Sequence, residues 1–214
     1  MKIKENKFVI EDQYRIKTEL IDLLKQPSDK EERPCPGCNH TFPGTPSAKS
    51  TIHCSFKCAE AVQKMSSDPT HYPIEPNVCP IVYALYTLRL LTPCWSCEGH
   101  DNEKKQIIKM PKVWFYSKSL IYVKLISETL SSLKANKSLS YYWTVKILPY
   151  SESMLNMTYS LEPDIQYEEA VELNLLHRDM YVIGEKLRYE VHALARQYIN
   201  RVDILTLEED KDTK

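Results

Sequence analysis

A chain of 214 residues with 43% hydrophobic and 27% charged residues has the composition of a folded protein with a core, not of a disordered tail or a membrane-embedded bundle. Its formal net charge of −1 argues against a protein whose principal work is gripping nucleic-acid backbone, while leaving room for a local basic patch. No phosphate loop, dinucleotide fingerprint or hydrolase elbow is present, and 4 Gly in the whole chain are too few to build one.

The N-terminal MKIKENKFVIEDQ has no apolar h-region, so no secretory signal is expected. No stretch reaches the ~18 to 20 apolar residues of a membrane span. The longest candidate, residues 78–91, is interrupted by Arg89. A cytoplasmic protein is expected, without membrane attachment. In a reducing compartment, 7 Cys point to metal ligands or free thiols rather than disulfides, and the odd number agrees.

Residues 9–26 read as an amphipathic helix with Ile10, Tyr14, Ile21 and Leu24 near one face, ended at Pro27. Residues 28–53 are rich in Pro, Ser, Thr, Lys and Glu and read as a linker followed by a metal-organised loop. A short helix is predicted over 57–66. Residues 71–80 hold three prolines and read as an extended connector. A helix follows over 80–91, with Pro80 at its first position and apolar residues around most of its surface, so it is expected to be buried.

Residues 112–116 then read as a strand, with Cys94-Trp-Ser-Cys97 as its hairpin partner. Ser117 or Ser119 caps a helix to about Lys134, with Leu120, Val123, Ile126, Leu130 and Leu133 on one stripe. Strands are predicted over 142–148 and 158–161. A last helix runs over 168–202. Its Leu176, Met180, Ile183, Leu187, Val191, Leu194 and Tyr198 recur at helical spacing and form a seam. At 1.5 Å per residue it would be roughly 50 Å long, which favours a break, a protein partner or a homodimer. Glu168, Glu169 and Glu172 suit its N-terminal dipole, and His177 and His192 are expected to face solvent. Residues 207–214 read as a disordered acidic-basic tail. The fold class is α+β. An N-terminal helix (1–29) and a small zinc-binding module (30–70) precede a ββαββα antiparallel-sheet domain with a long C-terminal helix (71–205), and a tail (206–214) closes the chain.

Cys35, Cys38, Cys54 and Cys58 stand as Cys-Pro-Gly-Cys, a gap of fifteen residues, and Cys-Ser-Phe-Lys-Cys. Two close pairs separated by such a loop suit one tetrahedral Zn²⁺, each pair placing two thiolates on the ion. Cys58 opens a helix-forming stretch, where unpaired N–H groups favour a thiolate. His40 and His53 are substitute ligands or surface histidines. CPGC followed by HCSFKCAEAVQK resembles the treble-clef zinc fingers of the FCS, MYM and TRASH type, over about thirty residues. That resemblance implies that Cys35, Cys38, Cys54 and Cys58 are all ligands. Members of the family bind metals, proteins or nucleic acids.

A second cluster lies at Thr92-Pro-Cys-Trp-Ser-Cys-Glu-Gly-His100. Three readings stand. Cys94, Cys97 and His100 hold a second zinc, with Cys79 as a fourth ligand or with an open position and Glu98 as general base. Alternatively, Cys97 beside His100 is a nucleophilic thiol. Or Trp95 and the cysteines pack in a hairpin and Glu98-Gly-His-Asp makes a turn. Ser96-Cys-Glu-Gly-His100 followed by Pro111-Lys-Val-Trp-Phe is similar to an SCxGH … P-x-V-x-F signature of uncharacterised bacterial proteins. It is also similar over three residues to the Ser-Cys-Ser-Gly-Arg motif of the wybutosine-tRNA methyltransferases, His100 replacing the Arg. That resemblance implies a pocket-lining segment, and no activity is carried over from it.

Trp114-Phe-Tyr116 and Tyr141-Tyr-Trp143 fit core and edge packing of two strands better than a base-stacking platform, given the neutral net charge. These readings converge on a zinc-binding protein of the binding or accessory kind, its zinc structural. The alternatives are a zinc- or thiol-dependent enzyme centred on Cys97, Glu98 and His100, and a nucleic-acid-binding protein.

Overall fold

The computed structural model describes residues 7–25, 33–34, 41–42, 66, 68, 70–88, 91–117, 119–148, 157–165 and 170–212. Its elements, in chain order, are α1 (Lys7–Leu24), β1 (Arg33–Pro34), β2 (Thr41–Phe42), α2 (Cys79–Thr87), β3 (Leu91–Cys97), β4 (His100–Asp101), β5 (Ile107–Lys109), β6 (Lys112–Ser117), α3 (Leu120–Ala135), β7 (Trp143–Ile147), β8 (Met157–Pro163) and α4 (Leu173–Asp212). The mixture of helices and antiparallel sheets is α+β, as expected. Residues 57–65 of the helix predicted over 57–66 and the four thiols Cys35, Cys38, Cys54 and Cys58, with His40 and His53, lie outside the described residues. No helix among the described residues is long and apolar enough to cross a membrane.

The main sheet has the order β3-β6-β8-β7, antiparallel throughout. Along β6, Val113, Phe115 and Ser117 are buried while Lys112, Trp114 and Tyr116 are half-buried, a period of two that separates an inner from an outer face. Directly opposed residues share a face, so Tyr159 and Leu161 of β8 join Phe115 and Val113 on the inner side. The Phe115 and Tyr159 rings stack with centroids 5.6 Å apart.

Helices close the inner face. Pro80 stands in the first turn of α2, where its missing N–H costs nothing, and Ile81, Val82, Ala84, Leu85 and Leu88 are all buried. Ser119 caps α3, its hydroxyl oxygen accepting the Ile121 N–H at 3.1 Å. The far end of α3 closes without glycine. Lys137 takes φ 56°, and the N–H groups of Ser138 and Lys137 reach the carbonyls of Leu133 and Lys134, both at 2.9 Å.

Helix α4 is one unbroken element of 40 residues. The seam that suggested a partner is occupied within the chain: Leu176, Met180, Ile183 and Leu187 are fully buried and Val191 nearly so. His192, expected in solvent, is 3% exposed on the same face. The helix also continues to Asp212, through residues whose composition suggested a disordered tail. Once a helix is nucleated, good formers such as Leu207, Glu208, Glu209 and Lys211 extend it at little cost.

On the outer face, Glu162 lies 3.0 Å from Lys146 Nζ and 4.0 Å from Lys112 Nζ, and accepts the Ser160 hydroxyl at 2.6 Å. Burial alone would raise this carboxyl, but the Ser160 hydroxyl and the two ammonium groups outweigh it and hold it below the usual carboxylate range. A carboxyl depressed in the folded state stabilises at pH values above its unfolded pKa of about 4.3, and that stability disappears as pH falls through the lower folded value. Melting curves between pH 7 and pH 3 should therefore show a drop in this acid range that is smaller in Glu162→Gln. That variant should be the less stable protein at pH 7.

Candidate metal centre

Strand β3 ends at Cys97 and β4 opens at His100, so Glu98 and Gly99 alone make the connection. Gly99 holds φ +86°, and a Cβ there would lie 2.8 Å from Pro111 Cδ and 3.0 Å from the Lys109 carbonyl oxygen. The turn thus requires glycine twice, for its backbone and for its space. The β4–β5 hairpin that follows was not expected. Its turn is built by Asn102, whose Oδ1 accepts the N–H groups of Lys104 and Gln106 at 2.9 and 3.0 Å.

The connector before α2 lies against this turn. Glu75 Oε2 accepts the Glu98 N–H at 2.7 Å, and Glu98 Oε2 accepts the Asn77 N–H at 2.8 Å. The two segments therefore clasp each other through reciprocal carboxylate-to-backbone hydrogen bonds, which are strong because the acceptors are charged. His177 of α4 completes the arrangement, its Nε2 lying 3.0 Å from the Glu98 carbonyl oxygen, a bond that fixes Nε2–H as donor. His177 is half-buried here rather than facing solvent.

The other Glu75 oxygen, Oε1, is 3.1 Å from His100 Nε2. One ligand atom each from Glu75, His100 and Cys97 lies within 4.8 Å of the others, in the one group of its kind among the described residues. Zn²⁺ bound tetrahedrally at ordinary Zn–O, Zn–N and Zn–S lengths separates such ligand atoms by about 3.3 to 3.6 Å. The carboxylate and imidazole are near that separation already, and the thiol closes it with a shift of about 1 Å. Cys97 is 2% exposed, whereas the side chains of Glu75 and His100 are 32% and 47% exposed. The three ligand types suit a borderline metal such as zinc.

The structure brings together two residues of the expected set, Cys97 and His100, and adds Glu75. Cys94 is not part of the group. A bulge between Pro93 and Trp95 interrupts the pairing at Cys94, which is exposed. Partial burial raises its thiol pKa, against a hydrogen bond with Tyr116 that lowers it. Cys79 is not part of the group either. Its S–H donates to the Glu75 carbonyl oxygen at 3.3 Å, and burial, with the Glu98 carboxylate second, pushes its pKa up to about 11. Both thiols are thus held protonated at neutral pH, the wrong direction for a nucleophile. Glu98, the candidate general base, spends one carboxylate oxygen on the Asn77 N–H. Glu75, the candidate ligand that the sequence did not mark, is the only carboxylate in the connector and stands among its prolines without a spacing pattern to a second ligand.

Strands β1 and β2 pair antiparallel, Arg33 with Phe42 and Pro34 with Thr41, so the residues flanking the Cys35–His40 segment are adjacent. Compared with protein-family models, curated proteins and solved structures, the chain matches none.

Proposed function

We propose that this chain is a zinc-binding protein of the binding or accessory kind, holding one zinc at Glu75, Cys97 and His100 and a structural zinc at Cys35, Cys38, Cys54 and Cys58. The observation that carries the reading is the convergence of a carboxylate, a thiol and an imidazole from two segments more than twenty residues apart, within 4.8 Å. The metal there would fasten the connector to the β3–β4 turn where the reciprocal hydrogen bonds already hold it. Glu75 is itself oriented by the Glu98 N–H, the kind of supporting bond that fixes a ligand for a metal. At the first site, support comes from the β1–β2 pairing, which brings together the described residues on either side of the segment that holds Cys35 and Cys38.

One observation favours a second reading. Glu75 and His100 are partly open to solvent, and three protein ligands leave a fourth position for water, the arrangement of a catalytic zinc.

Zinc content and chelator competition on the purified, undenatured chain test the proposal. Two equivalents are expected. Losing an orienting partner typically weakens a metal site 10- to 100-fold, so losing the ligand itself in Glu75→Gln, Cys97→Ser or His100→Ala should weaken one equivalent at least about 100-fold. The other equivalent and the circular dichroism should stay unchanged, and Cys38→Ser should remove the other. Unaltered zinc content and affinity in all three variants of the first set would sink the centre.

A further inference from the structure

The outer face of the main sheet carries a row of residues that neither zinc site uses. The registers β3–β6, β6–β8 and β8–β7 place Trp95 opposite Trp114, Trp114 opposite Ser160, and Ser160 opposite Lys146. These four residues form one ladder across the whole sheet. Tyr116 stands on the same strand and face as Trp114. The Trp95 and Trp114 rings lie 4.7 Å apart at 40°, and Trp95 remains 37% exposed. Lys109, from the β4–β5 hairpin, sets its ammonium 4.9 Å from the Trp95 ring centroid. Lys112 and Lys146 share the single carboxylate of Glu162, and Lys109 has no acidic partner among the described residues. Among the described residues, three ammonium groups thus stand around this pair of large rings, Lys112 and Lys146 beside Glu162 and Lys109 over the Trp95 ring, although the chain as a whole carries a net charge of −1.

We propose that this face binds single-stranded nucleic acid, with bases stacking on the Trp95–Trp114–Tyr116 strip and phosphates running past Lys109, Lys112 and Lys146. Trp95 is the exposed ring of the strip, and Trp114 and Tyr116 are half-buried beside it. Stacking on aromatic rings combined with ammonium groups along the backbone is the sequence-tolerant way of holding a single strand. The three strand spacings from β3 to β7 give the face a width of about 14 Å, room for two or three nucleotides. A duplex would not present unstacked bases to such a strip, and the charge complementarity selects a polyanion. The inference does not depend on zinc, because none of these side chains belongs to either metal centre.

Fluorescence anisotropy of a labelled oligothymidylate of about ten nucleotides, with the full chain at low salt, tests it. Binding is expected, together with quenching of tryptophan fluorescence. The logarithm of affinity should fall with the logarithm of salt concentration with a slope near −0.7 for each phosphate engaged. Trp95→Ala should weaken binding about fivefold or more. Lys109→Glu, on an exposed hairpin, should weaken it with an unchanged melting temperature, while Tyr189→Ala, which removes an exposed aromatic on α4, should leave it unaltered. Zinc content measured on the same samples keeps the metal reading separate. The proposal fails if the full chain does not bind at low salt, or if binding is indifferent to both Trp95→Ala and Lys109→Glu. It also fails if the face instead self-associates, seen as sedimentation of a dimer that Trp95→Ala dissolves.

Discussion

Asp179→Ala is expected to remove about 3 to 6 kcal/mol of folding stability, enough to unfold many domains of this size. Asp179 lies on α4 and is 0% exposed. Its carboxylate accepts the backbone N–H groups of Ser140 and Tyr141 at 2.8 and 2.9 Å, and the Trp143 indole N–H at 3.3 Å. All three donors belong to the passage from α3 into β7, so one side chain docks the edge of the sheet onto the long helix. Alanine leaves three donors facing apolar surroundings, and each orphaned group costs about 1 to 3 kcal/mol. An asparagine side chain would keep one acceptor oxygen but turn an NH₂ group towards another donor. Asp179→Asn should therefore fall between the wild type and Asp179→Ala. Urea midpoints of the three proteins check the order. Equal midpoints for Asp179→Ala and wild type would show that the carboxylate does not hold β7 in place.

Gly184→Ala should lower the melting temperature by roughly 4 to 8 °C, against the usual expectation for a helix interior. Replacing a helical glycine by alanine ordinarily gains about 1 kcal/mol through backbone entropy. Here a Cβ would stand 2.4 Å from Pro80 Cβ and 2.6 Å from the Pro80 carbonyl carbon. A flexible side chain would swing aside, but the obstacle is a proline ring and the backbone of the first turn of α2. Overpacking of that kind costs about 1 to 3 kcal/mol or more, and with fixed neighbours the upper end applies, so the net is a loss of about 2 kcal/mol. Gly184→Val should be worse. A rise in melting temperature for Gly184→Ala would mean that α2 and α4 do not approach this closely.

The elements that sequence reading recovered share one property: their signals are local. The stripe of α3, the Ser119 cap, the alternation in β6 and the position of Pro80 each depend on residues within a few places of one another. The α+β class followed from them, while the ββαββα order lacked the β4–β5 strands. What escaped depends on neighbours distant in the chain. Glu75 meets His100 only because the connector folds back over the β3–β4 turn, and a lone carboxylate between prolines carries no pattern of its own. His192 and His177 pack inward although nothing local marks which face of α4 does so over its whole length. The β4–β5 hairpin has strands of two and three residues, too short for any alternation to register. The seam of α4 was legible, but its partner was not, since a hydrophobic stripe looks the same whether it meets a second copy or helices α1 to α3 of its own chain.

The placement of β8 between β6 and β7 has a consequence for the order of assembly. A nascent chain that has emerged only as far as β7 can form the β3–β6 hairpin, but β7 has no strand to join. The sheet becomes continuous when β8, the last strand synthesised, slides into the gap and bridges both sides. The helix carrying Asp179 arrives later still. Folding of this half is therefore expected to wait for nearly the entire polypeptide, with long-range contacts closing last and slowly. A ribosome stalled before β8 would display an unfinished edge rather than a folded intermediate.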